Sequence, residues 1–292
     1  MNPTRKLAQI GLFLVIILSL LFAGLQPERA KAAPRATTIW PIYFELAIDE
    51  TRGWIYGSDP TGAKVDVISI STLQLVKSFS LPGTSPHGIA LSPDGSELAV
   101  ANYDPADEFN PPPVVRGSII FIDPDTGITV TLVPNSYYLD YNRPWDVVYG
   151  RPGRLYSSGN PGGGGLDHIH AIDTTTHSEI NRSPFLPVIR SAPLLQISPD
   201  FNTLYVSEAT KFYSFDVSTD DPPSPLAETP SYAAASTSFA VSPDGTKLFD
   251  DSGEVWDASL NARIGRTFQG YLDGIHYQQL VMLPTHGALA VA

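Results

Sequence analysis

Pro86-His87-Gly88-Ile89-Ala90-Leu91, Ser92-Pro93-Asp94-Gly95, Leu98-Ala99-Val100-Ala101-Asn102, an insertion, Ser118-Ile119-Ile120-Phe121-Ile122-Asp123, Pro124-Asp125-Thr126-Gly127 and Ile128-Thr129-Val130-Thr131-Leu132 follow one another along the chain. They read as four short strands separated by turns. Proline after serine presets φ, aspartate bonds the backbone ahead of it, and glycine accepts positive φ, so each turn has a mechanism. The unit is a small antiparallel sheet.

Outward from this stretch the unit recurs. The last apolar residue before the first turn is Ile48, Leu91, Tyr149, Ile197, Val241 and Leu283, with steps of 43, 58, 48, 44 and 42 residues. Second strands follow in register at Trp54-Ile55-Tyr56, Leu98-Ala99-Val100, Leu155-Tyr156-Ser157, Leu204-Tyr205-Val206, Lys247-Leu248-Phe249 and Leu289-Ala290-Val291. Third strands close at Asp123, Asp173, Asp216 and Asp257, with Ser69 in the first copy. Such a period, made of four strands, predicts an all-β fold, a β-propeller of four-stranded blades in which each sheet buries its faces against its neighbours. About six blades are expected, the last incomplete, because the sequence stops after two strands of its sixth repeat; Thr37 to Trp40 is a candidate closing strand. An unclosed edge would favour dimerisation or precipitation, whereas a closed ring predicts a monomer.

These residues resemble the YVTN-type β-propeller repeats of exported prokaryotic proteins, which carry Pro-x-Gly-x-Ala-x-Ser-Pro-Asp-Gly, Leu-Tyr-Val-x-Asn and Val-x-Asp-x-x-Thr-Gly. The second repeat matches through Pro86, Gly88, Ser92 to Gly95, Asn102 and Asp123 to Gly127. The resemblance spans residues 40 to 292, and the Ser-Pro-Asp-Gly turn is absent from repeats 1, 3 and 6. It implies a propeller of a superfamily that holds lactonase-like and quinoprotein-like enzymes beside many non-enzymes. Trp256-Asp257 does not make the chain a WD-repeat protein, since no Gly-His partner precedes it. Gly162 to Gly165 is not a phosphate loop, because no Lys follows it.

The N-terminus reads as a leader. Arg5 and Lys6 precede an uncharged apolar run from Ile10 to Leu25, and Ala30-Lys31-Ala32 presents small residues where a signal peptidase reads. Cleavage after Ala32 leaves a single domain from 33 to 292 and a secreted or cell-surface protein; an uncleaved anchor is the other reading. The leader holds Arg5, Lys6, Arg29 and Lys31 against Glu28, so its removal takes the formal charge from −12 to −15. Such acidity argues against nucleic-acid or anionic-membrane partners. The chain has no cysteine, so its stability comes from a core rather than disulfides.

Loops joining second to third strands, and fourth strands to the next blade, emerge on one face of a propeller. The insertions Tyr103 to Arg116, Pro134 to Arg143 and Gly159 to Asp167 fall there. Binding residues tend to sit in loops on a rigid scaffold. Tyr103, Tyr137, Tyr138, Tyr141 and Trp145, with His87 and Asp146 beside them, form the predicted binding set for a protein or carbohydrate ligand; packing as a plug is the alternative. The expected function is an exported, non-catalytic binding or cell-surface module. The alternative is a lactonase-like or other hydrolytic or oxidoreductase enzyme at the channel mouth, where Glu45, His87 and Asp146 come from three consecutive repeats. No catalytic set and no cofactor are assigned. His168 and His170 lack the remaining ligands of a metal site, and Asp104, Asp107 and Glu108 suit either Ca²⁺ or an acidic surface loop.

Overall fold

The computed structural model describes residues 43–82, 85–103, 117–132, 143–159, 166–167, 169–181, 189–190, 193–208, 211–219, 224–229, 239–250, 254–261, 263–266, 280–282 and 289–291. All the strands lie in one compact unit, Ile39–Ala292. Blade 1 is β1 (Leu46–Asp49), β2 (Trp54–Asp59), β3 (Lys64–Ser69) and β4 (Leu75–Ser80); blade 2 is β5 (Ser85–Leu91), β6 (Leu98–Tyr103), β7 (Gly117–Ile122) and β8 (Thr129–Leu132). Blade 3 begins with β9 (Pro144–Tyr149) and β10 (Arg154–Gly159). After the short β11 (Leu166–Asp167), it is completed by β12 (His170–Asp173) and β13 (Ser178–Asn181). The short β14 (Ile189–Arg190) pairs with β11. Blade 4 is β15 (Leu194–Ile197), β16 (Thr203–Glu208), β17 (Lys211–Asp216) and β18 (Ser224–Glu228). Blade 5 is β19 (Phe239–Val241), β20 (Lys247–Asp250), β21 (Glu254–Asp257) and β22 (Arg263–Arg266).

Every blade is antiparallel, and the inner strands β1, β5, β9, β15 and β19 pack consecutively, as a propeller requires. The expectation of about six blades is corrected to five four-stranded blades among the described residues. The sixth repeat forms, among those residues, a two-stranded sheet of β23 (Leu280–Met282) with β24 (Leu289–Val291). The leader, the candidate closing strand Thr37 to Trp40, the Tyr137 to Tyr141 loop, His168 and the Asp104 to Glu108 cluster lie outside the described residues.

The turn chemistry explains why the repeat was readable. Ser92 Oγ donates to Asp94 Oδ1 at 2.7 Å, and Ser242 Oγ to Asp244 Oδ1 at 2.6 Å, with Gly95 and Gly245 at φ 73° and 70°. Blade 4 keeps the turn without the glycine: Ser198 bonds Asp200, and Phe201 takes the left-handed φ of 60°. The aspartates that end third strands accept amides of the following turn, as Asp123 Oδ1 does from Asp125 and Thr126 at 2.8 and 3.0 Å.

The core lies between blades rather than within them. One cluster joins Tyr56, Val65 and Val67 of blade 1 to Ile89, Val100 and Ile122 of blade 2. A second joins Ala99, Ile119 and Phe121 to Val147, Tyr149 and Leu155 of blade 3. Blades 3 and 4 meet at Tyr156, Ile172's neighbour Ala171, Leu204 and Phe215, and blades 4 and 5 at Tyr205, Phe212, Leu248 and Trp256. Alternate residues of each strand face opposite neighbours, so burial of both sheet faces follows from period-2 patterning.

Candidate binding site at the mouth of blades 2 and 3

The inner strands are tied to one another by a repeated polar device. In blade 1, Glu45 Oε2 accepts the amide of Ile89 in blade 2 at 2.8 Å, while Ser58 Oγ donates to the carbonyl of His87. Blade 3 does the same to blade 4: Asp146 Oδ2 accepts the Leu195 amide at 2.6 Å, and Ser158 Oγ donates to the Pro193 carbonyl at 2.6 Å. Strand register places Ser58 and Ser158 at equivalent positions. Blade 2 lacks both groups, having Gly88 and Ala101 in those places.

Asp146 fills the gap. Its Oδ1 accepts its own chain's Val147 amide at 2.8 Å, and a Cβ on Gly88 would stand 2.3 Å from that oxygen and 2.5 Å from the Asp146 Cα. Gly88 is therefore required by close approach of blade 3. Asp146 is 1% exposed. Burial raises its pKa to about 6, although the amide bonds and Glu45 work the other way. Burial, the Asp146 charge and their mutual hydrogen bond push Glu45 well above the ordinary carboxylate range. Among the described residues no group of three or more His, Cys, Asp or Glu is arranged to hold a metal ion.

Beside this buried pair lies a cluster of rings. His87 sits 4.4 Å from Phe44 and 4.4 Å from Trp145, centroid to centroid, and 5.2 Å from Tyr103. Trp145 is also in contact with Phe44 at 5.1 Å and Tyr103 at 5.6 Å, both edge to face. Phe44, Tyr103 and Trp145 are half-buried, whereas His87 is 8% exposed. His87 Nδ1 donates to the Ser85 carbonyl at 2.9 Å, and burial lowers its pKa, so the ring stays neutral with Nε2 as an acceptor.

Tyr103 ends β6, where the insertion 104–116 departs, and Arg143 immediately follows the insertion 133–142. The two meet: Arg143 Nη1 donates to Tyr103 Oη at 3.3 Å, and its guanidinium stands 5.5 Å from the Tyr103 ring centre. Of the predicted binding set, the structure thus brings Tyr103, His87 and Trp145 together and puts Asp146 beneath them in the inter-blade tie. Phe44 and Arg143 were missed by sequence reasoning. Phe44 could have been found from its register with His87 and Trp145, while Arg143 gave no signal beyond ending an insertion. His170 pairs with Glu179 at 2.6 Å, as Glu254 at the equivalent position does with Arg263 at 2.6 Å.

On the opposite face a cleft of about 540 Å³ separates blades 2 and 3, with Pro93, Glu97, Phe121, Ile128, Tyr149 and Pro152 in its wall. Asp94, Glu97 and Asp123 line it, and all three are already hydrogen-bonded within the protein. Glu97 accepts from Tyr149 Oη at 2.8 Å and bonds His177 Nε2 at 2.6 Å.

No family model matches the sequence, and no curated protein matches it. Solved structures do. A chain of Kuenenia stuttgartiensis hydrazine synthase is similar with a TM-score of 0.62 and 16% identity, over 85% of this chain and 82% of that one. The β-propeller domain of Cps50 (Swd1) from Myceliophteria thermophila is similar with a TM-score of 0.60 and 13% identity, over 84% and 77%. At these identities the likeness shows the fold alone, and with 1324 solved chains matching, it selects no activity. The chain is a β-propeller of four-stranded blades, and its fold suits a binding module.

Proposed function

We propose that the chain is an exported, non-catalytic propeller of YVTN type, which binds a carbohydrate or protein ligand on the face of blades 2 and 3 that carries the long insertions. One observation carries this reading. Four aromatic rings from three blades, Phe44, His87, Tyr103 and Trp145, converge where both insertions join the scaffold, and three of them are half-buried rather than sealed in the core. Such rings offer flat apolar area with polar edges, suited to stacking on a sugar or on a partner's side chain. Burial of the Glu45 and Asp146 carboxyls against backbone amides supports a structural rather than catalytic role for the two acids. Export rests on the leader at residues 1–32.

The test is a glycan array, with a peptide array beside it, probed with the chain from Ala33 onward and with its Trp145→Ala and Tyr103→Ala variants. A ligand bound by the parent and lost in both variants is the expected result. A ligand bound equally by all three would place recognition elsewhere.

A further inference from the structure

The cleft between blades 2 and 3, on the face opposite the ring cluster, has a volume of about 540 Å³, within the range of ligand pockets. One wall is the outer part of blade 2. Ile128, just before β8, and Val130 within it are two residues apart and so lie on one side of the extended chain. They are 68% and 45% exposed, and Ile128 is the most exposed large apolar side chain among the described residues. The cleft's shape is fixed across the junction: Glu97 of blade 2 accepts from Tyr149 and bonds His177 of blade 3, and the Phe121 ring lies 4.3 Å from that of His177.

Three acids, Asp94, Glu97 and Asp123, line the cleft against one base, Arg151. The Ser96 amide and the Ser92 and Ser96 hydroxyls hold Asp94 down to about 2, and the Thr126 and Asp125 amides hold Asp123 below its ordinary value. Both are therefore ionised at neutral pH. A carboxylate has about four acceptor sites, so these bonds fix the charges without exhausting them.

We propose that this cleft is a second binding site, separate from the ring cluster, and that its ligand is an extended peptide segment with apolar residues two apart and basic residues beside them. The proposal does not depend on the binding face described above. An extended peptide repeats one face about every 6.8 Å, as Ile128 and Val130 do, so two of its apolar side chains meet the two exposed ones. Arginine or lysine beyond them reaches the ionised acids. A polycation without apolar side chains would leave the wall in water, and an apolar ligand without a cation would desolvate the acids at a cost. The strongly acidic chain attracts such a basic partner and repels acidic ones.

Titration calorimetry of the purified protein with three capped hexapeptides, Leu-Thr-Leu-Arg-Thr-Arg, Leu-Thr-Leu-Glu-Thr-Glu and Ser-Thr-Ser-Arg-Thr-Arg, tests the proposal. The first should bind about tenfold or more tightly than either of the others, and its affinity should fall as salt rises. Ile128→Ser shortens the apolar wall, while Asp123→Asn removes one charge and keeps the Oδ1 acceptor of its turn. Each should weaken the first peptide about fivefold, and Trp145→Ala should leave it unchanged. Should Asp123→Asn not fold, Ile128→Ser, which alters only an exposed side chain, carries the comparison. Equal affinity for the first and third peptides would overturn the role of the apolar wall, and equal affinity for the first and second that of the acids. Loss of binding in Trp145→Ala with none in Ile128→Ser would move the site to the ring cluster and overturn the proposal, as would failure of the first peptide to bind.

Discussion

Blades 1 and 2, like blades 3 and 4, are joined by an acid that accepts the next blade's amide and a serine that donates to its carbonyl. Blades 2 and 3 are joined differently: Gly88 and Ala101 offer neither group, and Asp146 Oδ1 accepts the amide of the next residue, Val147, while lying against Gly88. Apolar packing is present at both kinds of junction, so the difference is in the polar inner layer. The ring cluster gathers at the mouth where the polar ties are missing. Where a scaffold leaves its own groups unmatched, side chains from neighbouring insertions take over, and such places are where function departs from regular repetition.

Several substitutions would break or sharpen this contrast. Gly88→Ala has the largest expected effect, since its Cβ meets both a side-chain oxygen and backbone of Asp146; overpacking of this kind should cost about 3 kcal/mol or more in a urea melt. The corresponding change at Leu194, the same position in blade 4, should show no such backbone clash. Asp146→Ala comes next. It leaves the Val147 and Leu195 amides without their acceptor, and about 2 to 3 kcal/mol should be lost, partly offset because Glu45 no longer faces a charge.

The third prediction concerns pH. Both carboxyls have folded pKa values raised above their unfolded values, so the folded state binds more protons between pH 4 and the raised values. Their contribution therefore weakens stability as pH rises through the Asp146 value of about 6 and beyond it. His87, whose pKa is lowered, acts in the opposite sense near its ordinary value. Comparing the parent with Glu45→Gln removes that common term: the variant should lose the acid-side stabilisation and gain relative to the parent toward pH 8. A pH-independent difference would show that the two acids do not share a proton. Smallest is Ser58→Ala, which leaves the His87 carbonyl without its hydroxyl donor and should cost about 1 kcal/mol.

Much of the fold was legible because local chemistry repeats. The Ser-Pro-Asp-Gly turn and the aspartate closing each third strand are short-range devices, visible in any single repeat, and their spacing gave strand order and register. The blade count was misjudged because the strand segments of the sixth repeat, among the described residues, pair with each other as a two-stranded sheet. The site was legible only in part. Phe44, Glu45, His87, Trp145 and Asp146 share a register, so their convergence could be read; the bonds from Glu45 to Ile89 and from Asp146 to Leu195 could not, because they depend on how closely two sheets approach. Arg143 was invisible for the same reason. It reaches Tyr103 only because the roots of two insertions approach one another in space.

The central claim is that the rings at this mouth serve a ligand rather than the fold, and two tryptophans test it in one experiment. Trp256 is 1% exposed in the core between blades 4 and 5, whereas Trp145 is half-buried in the ring cluster. In parallel urea melts, Trp256→Ala should cost about 3 to 5 kcal/mol, and Trp145→Ala should cost no more than about 1.5 kcal/mol, the scale of a single aromatic contact. A loss at Trp145 equal to that at Trp256 would make the cluster a plug and contradict the account.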